Sequence, residues 1–156
     1  MPFPFAGKTP LNLALQGGGA HGAFTWGVLD ALLEDGRFDI EGISGTSAGA
    51  MNAAILAHGL ASGGRDGARV ALAGFWEAVA AASPFGGSDD TGAMAPALRL
   101  ALQWTEHLAP AQINPLDINP LRDIVNEHID FERLRGERRL RLFIAATHAA
   151  TGKLRI

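Results

Sequence analysis

The 156-residue chain contains no cysteine, which excludes a disulfide framework and fits a reducing compartment. It also lacks an apolar run of about 18 residues, as a membrane span would require, and the charged-then-apolar start of a signal peptide. The net charge of −3 argues against nucleic-acid binding. Its five histidines show no metal-ligand spacing. These absences predict a globular cytoplasmic protein that could also lie peripherally at a membrane.

Glycine, by contrast, is abundant, and two groups of glycines follow predicted strands. Residues 45–49 read Gly-Thr-Ser-Ala-Gly, which is typical of a nucleophile elbow with Ser47 at its tip and Gly45 and Gly49 on either side. Residues 17–22 read Gly-Gly-Gly-Ala-His-Gly and open a predicted helix, where free backbone N–H groups can hold an oxyanion. The predicted oxyanion-hole residues are Gly17, Gly18, Gly19 and Gly22.

The spacing of the two glycine groups predicts that they meet. A strand over residues 11–15, a helix over 23–34, a strand near 40–43 and a helix over 48–58 form one βαβ unit followed by a second helix. Consecutive strands of this kind pair in parallel with a right-handed crossover. Both loops then leave the same carboxyl edge of the sheet, where open α/β sheets bind their ligands.

This ordered pair of motifs resembles the patatin-like phospholipases. The resemblance extends to Asn119-Pro120-Leu121-Arg122-Asp123 and Phe131-Glu132-Arg133-Leu134, and to the predicted strand Phe143-Ile144-Ala145-Ala146-Thr147 with the turn after it. It implies a three-layer α/β/α fold with a mainly parallel sheet, and an enzyme of lipid degradation that hydrolyses acyl esters without a cofactor. Its partner would be a lipid or acyl-ester substrate, with transient membrane-surface contact. Ser47 would be the nucleophile of a Ser–Asp dyad.

The family's dyad aspartate lies in a later Asp-Gly-Gly or Asp-Gly-Ala motif, and none follows the predicted strand over residues 140–146. The literal match to this motif, Asp66-Gly67-Ala68, comes directly after the helix that follows Ser47. Asp66 is therefore a weak candidate for the dyad aspartate and is instead predicted to be the N-cap of the next helix. We therefore expect residues 1–156 to be the N-terminal portion of one catalytic domain, inactive alone, with residues 1–10 as an N-terminal arm. The aspartate is expected beyond Ile156.

Two histidines lie near the predicted site. His21 occupies a position where many relatives carry Arg or Lys, so it could meet a lipid phosphate only when protonated. The alternative is that His21 packs or hydrogen-bonds at the helix start. His148 follows the predicted strand over residues 140–146 and would border the site if that strand is parallel.

The same residues are also compatible with two alternative functions. Gly17-x-Gly19-x-x-Gly22 is also a dinucleotide-binding fingerprint, which requires an acidic residue at the end of the second strand. Asp39 and Glu41 follow the fingerprint at nearly the required number of residues, but they lie at the start of that strand. The third hypothesis is a non-catalytic lipid-binding module.

A helix predicted over residues 97–108, within the breaker-rich stretch 83–118, could be a lid or lipid-entry surface. Its leucines could equally belong to the core. If the helix is a lid, deleting residues 97–108 should spare hydrolysis of a short soluble ester and reduce that of a long-chain ester. Equal loss on both substrates would contradict the lid.

Overall fold

The computed structural model describes residues 7–82, 119–148 and 150–156. Its four strands form a sheet of order β1-β2-β3-β4, comprising β1 Thr9–Leu15, β2 Phe38–Thr46, β3 Arg141–His148 and β4 Lys153–Arg155. Strands β1, β2 and β3 run parallel, and β4 is antiparallel to β3. The predicted α/β class with a mainly parallel sheet is confirmed. The proposed lid, within residues 83–118, lies outside the described residues.

Within these described ranges, four helices accompany the sheet, α1 Gly22–Asp35, α2 Ala48–Ala82, α3 Pro120–His128 and α4 Phe131–Gly136. Helix α1 ends at Gly36, whose φ of 69° is left-handed and whose N–H donates to the carbonyl of Leu32. Helix α3 begins after Asn119, whose side chain accepts a hydrogen bond from the N–H of Arg122.

Helix α2 consists of two antiparallel segments, residues 48–62 and 65–82, because Gly63 and Gly64 leave the helical conformation. Gly64 has a φ of 62°, which favours glycine. The second segment resumes at Arg65, so Asp66 lies in its first turn and the predicted N-cap role of Asp66 is wrong. Its negative charge still suits the positive end of the helix dipole.

The core lies between the sheet and the helices on one of its faces. Ile43 from β2, Leu29 from α1, and Leu56 and Phe75 from α2 are almost fully buried there. On the opposite face Ala14 and Ser44 are exposed, and Phe143 is 51% exposed. The second helical layer of the predicted three-layer arrangement is therefore not among the described residues.

An irregularity in β2 sets which side chains face the core. Leu11 pairs with Ile40 but Asn12 pairs with Gly42, so Glu41 is an extra, unpaired residue. Side chains alternate along a strand, and the extra residue shifts that alternation by one. As a result Ile40 and Ile43 both pack against the core although they are three residues apart.

An ion pair joins α1 to the second segment of α2. The Arg69 guanidinium donates to Asp30 over 2.8 Å and 3.2 Å. This hydrogen bond lowers the pKa of the Asp30 carboxyl below its ordinary value. Both side chains are about one-third exposed, so solvent screens the pair, and it orients the helices more than it stabilises them.

The two segments of α2 lie in close backbone contact at Gly59, where a methyl group would lie 2.4 Å from the Cα of Ala68. We expect Gly59→Ala to lower the free energy of unfolding by about 2 kcal/mol, because the segments must separate. The measurement is urea unfolding followed by circular dichroism.

Gly27→Ala is the matched control, since Gly27 is also inside a helix but a methyl group there meets nothing within 4 Å. This control should be neutral or stabilise by up to about 1 kcal/mol through helix propensity. Equal stability of the two variants would contradict the close approach at Gly59.

Candidate active site

Ser47 lies on the tight turn between β2 and α2. Its φ of 51° is left-handed, and it is the one non-glycine residue with positive φ in the described part of the chain. Such a conformation costs about 1–2 kcal/mol for a residue with a Cβ and is retained where the surrounding structure enforces it. The residue is exposed, and its carbonyl accepts the first helical hydrogen bond from Met51. A strained, exposed serine at a strand–helix turn is the geometry of a nucleophile elbow.

Glycine is required on both sides of this turn by close backbone contacts. A methyl group on Gly45 would lie 2.6 Å from the carbonyl oxygen of Gly49. One on Gly49 would lie 2.2 Å from the carbonyl oxygen of Leu15, at the end of β1. Neither contact could accommodate a side chain, so both glycines are needed for the chain to turn here.

The glycine loop, defined as residues 17–22, meets the elbow as the sequence predicts. A methyl group on Gly17 would lie 3.1 Å from the Cβ of Ser47, so the backbone of the loop runs directly beside the serine. Gly19 has a φ of 57° and begins a single 3-10 turn, Gly19–His21. The N–H groups of Gly18 and Gly19 have no hydrogen-bond acceptor among the described residues. Such donors are suited to an anion.

His21 closes the 3-10 turn instead of reaching outward. Its backbone N–H and its Nδ1 both lie 3.1 Å from the carbonyl oxygen of Gly18. A carbonyl only accepts, so this contact requires the proton on Nδ1. The geometry agrees with the predicted hydrogen-bonding role of His21 at the helix start.

Several other candidates lie apart from Ser47. The first segment of α2 rises about 1.5 Å per residue, so it carries the chain roughly 20 Å from Ser47 before Asp66. Asp39 pairs with Pro10 at the amino end of β2, and Glu41 is the exposed residue of the bulge. Neither acid is at the carboxyl edge, where a nucleotide ribose would need it.

His148 ends β3, which is parallel to β2, so it lies at the same sheet edge as Ser47. Its Nδ1 is 2.9 Å from the Oγ1 of Thr151, which holds the turn into β4. The Ser47 hydroxyl makes no side-chain hydrogen bond to any residue that the structure describes.

Sequence reasoning missed two hydrogen-bonding residues behind the site, Asn52 and Trp76. Asn52, fully buried in α2, donates to the carbonyl of Gly22 and accepts from the indole of Trp76. The sequence did contain a signal for Asn52, because its amide lies on the apolar face of a helix five residues after Ser47. A polar group buried on such a face requires hydrogen-bond partners.

These features define an α/β protein with a serine elbow beside a glycine loop. The model of the patatin-like phospholipase family matches residues 13–149, and the chain belongs to this family. No curated protein and no solved structure gives a match. Among the described residues, no helix has the length and apolarity needed to cross a membrane.

The strain at the elbow can be measured independently of any activity. We expect Ser47→Gly to be more stable to unfolding than Ser47→Ala by about 1 kcal/mol, because only glycine adopts a φ of 51° without cost. Both variants lose the hydroxyl, so each is the control for the other. The measurement is urea unfolding; an alanine variant as stable as the glycine variant would contradict a strained turn.

Proposed function

We propose that the protein is a lipid acyl-ester hydrolase of the phospholipase A type, with Ser47 as its nucleophile. The observation that carries this proposal is the left-handed backbone of Ser47 directly beside the backbone of Gly17. Membership of the patatin-like phospholipase family supports a lipid substrate. The elbow exposes the hydroxyl, and the glycine loop offers N–H donors within the same small space.

The reaction would proceed through an acyl-enzyme. The Oγ of Ser47 attacks the ester carbonyl while its proton passes to a base, and the carbonyl oxygen becomes an oxyanion. The N–H groups of Gly18 and Gly19 would stabilise that oxyanion; loss of one such donor typically costs ~10²–10³ in rate. Collapse of the tetrahedral intermediate breaks the ester bond and releases the alcohol. Water then hydrolyses the acyl-serine to a fatty acid and restores the hydroxyl.

The base is proposed to be the aspartate of a Ser–Asp dyad. Asp66 is a poor choice, because α2 carries the chain away from the elbow before reaching it. We therefore do not assign the base to Asp66. His148 is not required, since its ring is hydrogen-bonded to Thr151 in the turn.

The proposed partners are lipid acyl esters presented at a membrane surface, and the chemistry needs no cofactor. The dinucleotide alternative is disfavoured because Asp39 lies at the amino end of β2. A non-catalytic lipid-binding module is disfavoured because strain at a serine is costly to retain without a use for its hydroxyl.

Fluorophosphonate labelling of the intact protein, followed by intact mass measurement, tests the proposal. We expect one adduct, which disappears in Ser47→Ala, because the reagent modifies a serine that is activated as a nucleophile. Asp66→Asn is the matched control and should keep its labelling rate within about twofold, whereas loss of a catalytic partner would cost ~10⁴.

Circular dichroism must first confirm that each variant is folded. A folded intact protein that remains unlabelled would overturn the proposed hydrolase. Strong loss of labelling in a folded Asp66→Asn variant would instead make Asp66 the base.

A further inference from the structure

The glycine loop and the elbow come from different strands, and Gly22 is where the two parts are packed together. Gly22 is buried at the first position of α1. A methyl group there would lie 2.8 Å from the Cβ of Ala48 and 2.9 Å from the ring of Trp76. The start of α1 therefore fits between the residue after Ser47 and the second segment of α2.

A buried amide fixes this contact. Asn52 is 0% exposed and lies on α2, five residues after Ser47. Its Nδ2 donates to the carbonyl oxygen of Gly22 over 2.9 Å, and its Oδ1 accepts from the Nε1 of Trp76 over 2.9 Å. An indole N–H only donates and a carbonyl only accepts, so these partners allow a single orientation of the amide.

The chain continues from this contact directly into the loop. The N–H of Gly22 donates to the carbonyl of Gly19, and the N–H of His21 donates to that of Gly18. A displacement of Gly22 would therefore be passed through one 3-10 turn to the N–H groups of Gly18 and Gly19, next to Gly17, whose backbone lies beside Ser47. Displacements near 1 Å at a reacting centre can cost about a hundredfold in rate.

We infer that Asn52, braced by Trp76, is a positioning residue that holds the glycine loop in register with Ser47. The consequence for catalysis rests on the proposed function, whereas the positioning of the loop does not. Asn52 touches Gly22 and Trp76 and makes no hydrogen bond to Ser47 or to the loop N–H groups. It therefore acts through the backbone of Gly22.

Two variants separate this role from general core packing. Asn52→Leu keeps the length and branching of the side chain, adds some apolar volume and removes both hydrogen bonds, leaving the indole N–H and the Gly22 carbonyl without their partner. Trp76→Phe removes one hydrogen bond and retains an aromatic ring. Leu72→Ala is the control, because Leu72 is fully buried on the same segment as Trp76, one helical turn farther from the elbow.

Hydrogen exchange of the His21 and Gly22 amides, measured by nuclear magnetic resonance in the intact protein, tests the positioning directly. Asn52→Leu should lower their protection, relative to the protection of the core amides, by about tenfold. Leu72→Ala should lower loop and core protection by the same factor. Equal behaviour of Asn52→Leu and Leu72→Ala would overturn the inference. If Asn52→Leu fails to fold, Trp76→Phe decides, with about a threefold selective loss expected.

Fluorophosphonate kinetics give a second measurement. In folded Asn52→Leu the maximal labelling rate should fall about tenfold to a hundredfold, with the reagent's binding constant unchanged, since the donors are displaced and the serine is retained. An unchanged maximal rate would overturn the catalytic consequence. If the wild-type protein is unlabelled, the proposed function fails, and hydrogen exchange alone decides whether Asn52 positions the loop.

Discussion

The contact between the backbone at Gly49 and the carbonyl of Leu15 constrains the rest of the site. A methyl group at Gly49 would come within 2.2 Å of that oxygen, so the start of α2 is pressed against the end of β1 with no room for a side chain. Since Gly49 is two residues after Ser47, this contact also fixes the serine beside the strand from which the glycine loop departs. For the chain to enter α2 at that position, Ser47 adopts a left-handed φ, which costs conformational free energy.

The site is held by short-range and long-range interactions of different kinds. Backbone packing at Gly45, Gly49 and Gly17 brings the elbow and the glycine loop together, and the contacts at Gly45 and Gly49 depend on the absence of a side chain. The amide of Asn52 adds direction, because its two hydrogen bonds specify where Gly22 lies along α2. With the glycine contacts alone, the start of α1 could slide along α2. With the hydrogen bonds of Asn52 alone, the start of α1 could rotate against α2.

The parts of the fold that follow from the sequence are those set by neighbours along the chain. The elbow, the glycine loop and their meeting at one sheet edge are properties of a single βαβ unit, so residues 11–58 sufficed to predict them. The Asn52–Trp76 pair was not predictable in this way, because it needs the antiparallel return of α2. That return depends on where the helical conformation is interrupted. The interruption is confined to Gly63 and Gly64, so Asp66 lies inside the second segment and is not its N-cap. The antiparallel return places the backbone of Gly59 against that of Ala68, a contact that hydrophobic periodicity does not report.

The extra residue at Glu41 has a consequence for the length of β2. Because strand side chains alternate, each residue between the bulge and the serine reverses the face on which the next one lies. Ile43 and Gly45 share one parity, counted from the bulge, and both are buried. Gain or loss of one residue between Glu41 and Ile43 would turn Ile43 toward the exposed face, whereas a change of two would restore it. The alternation that buries Ile43 therefore depends on the extra residue at Glu41.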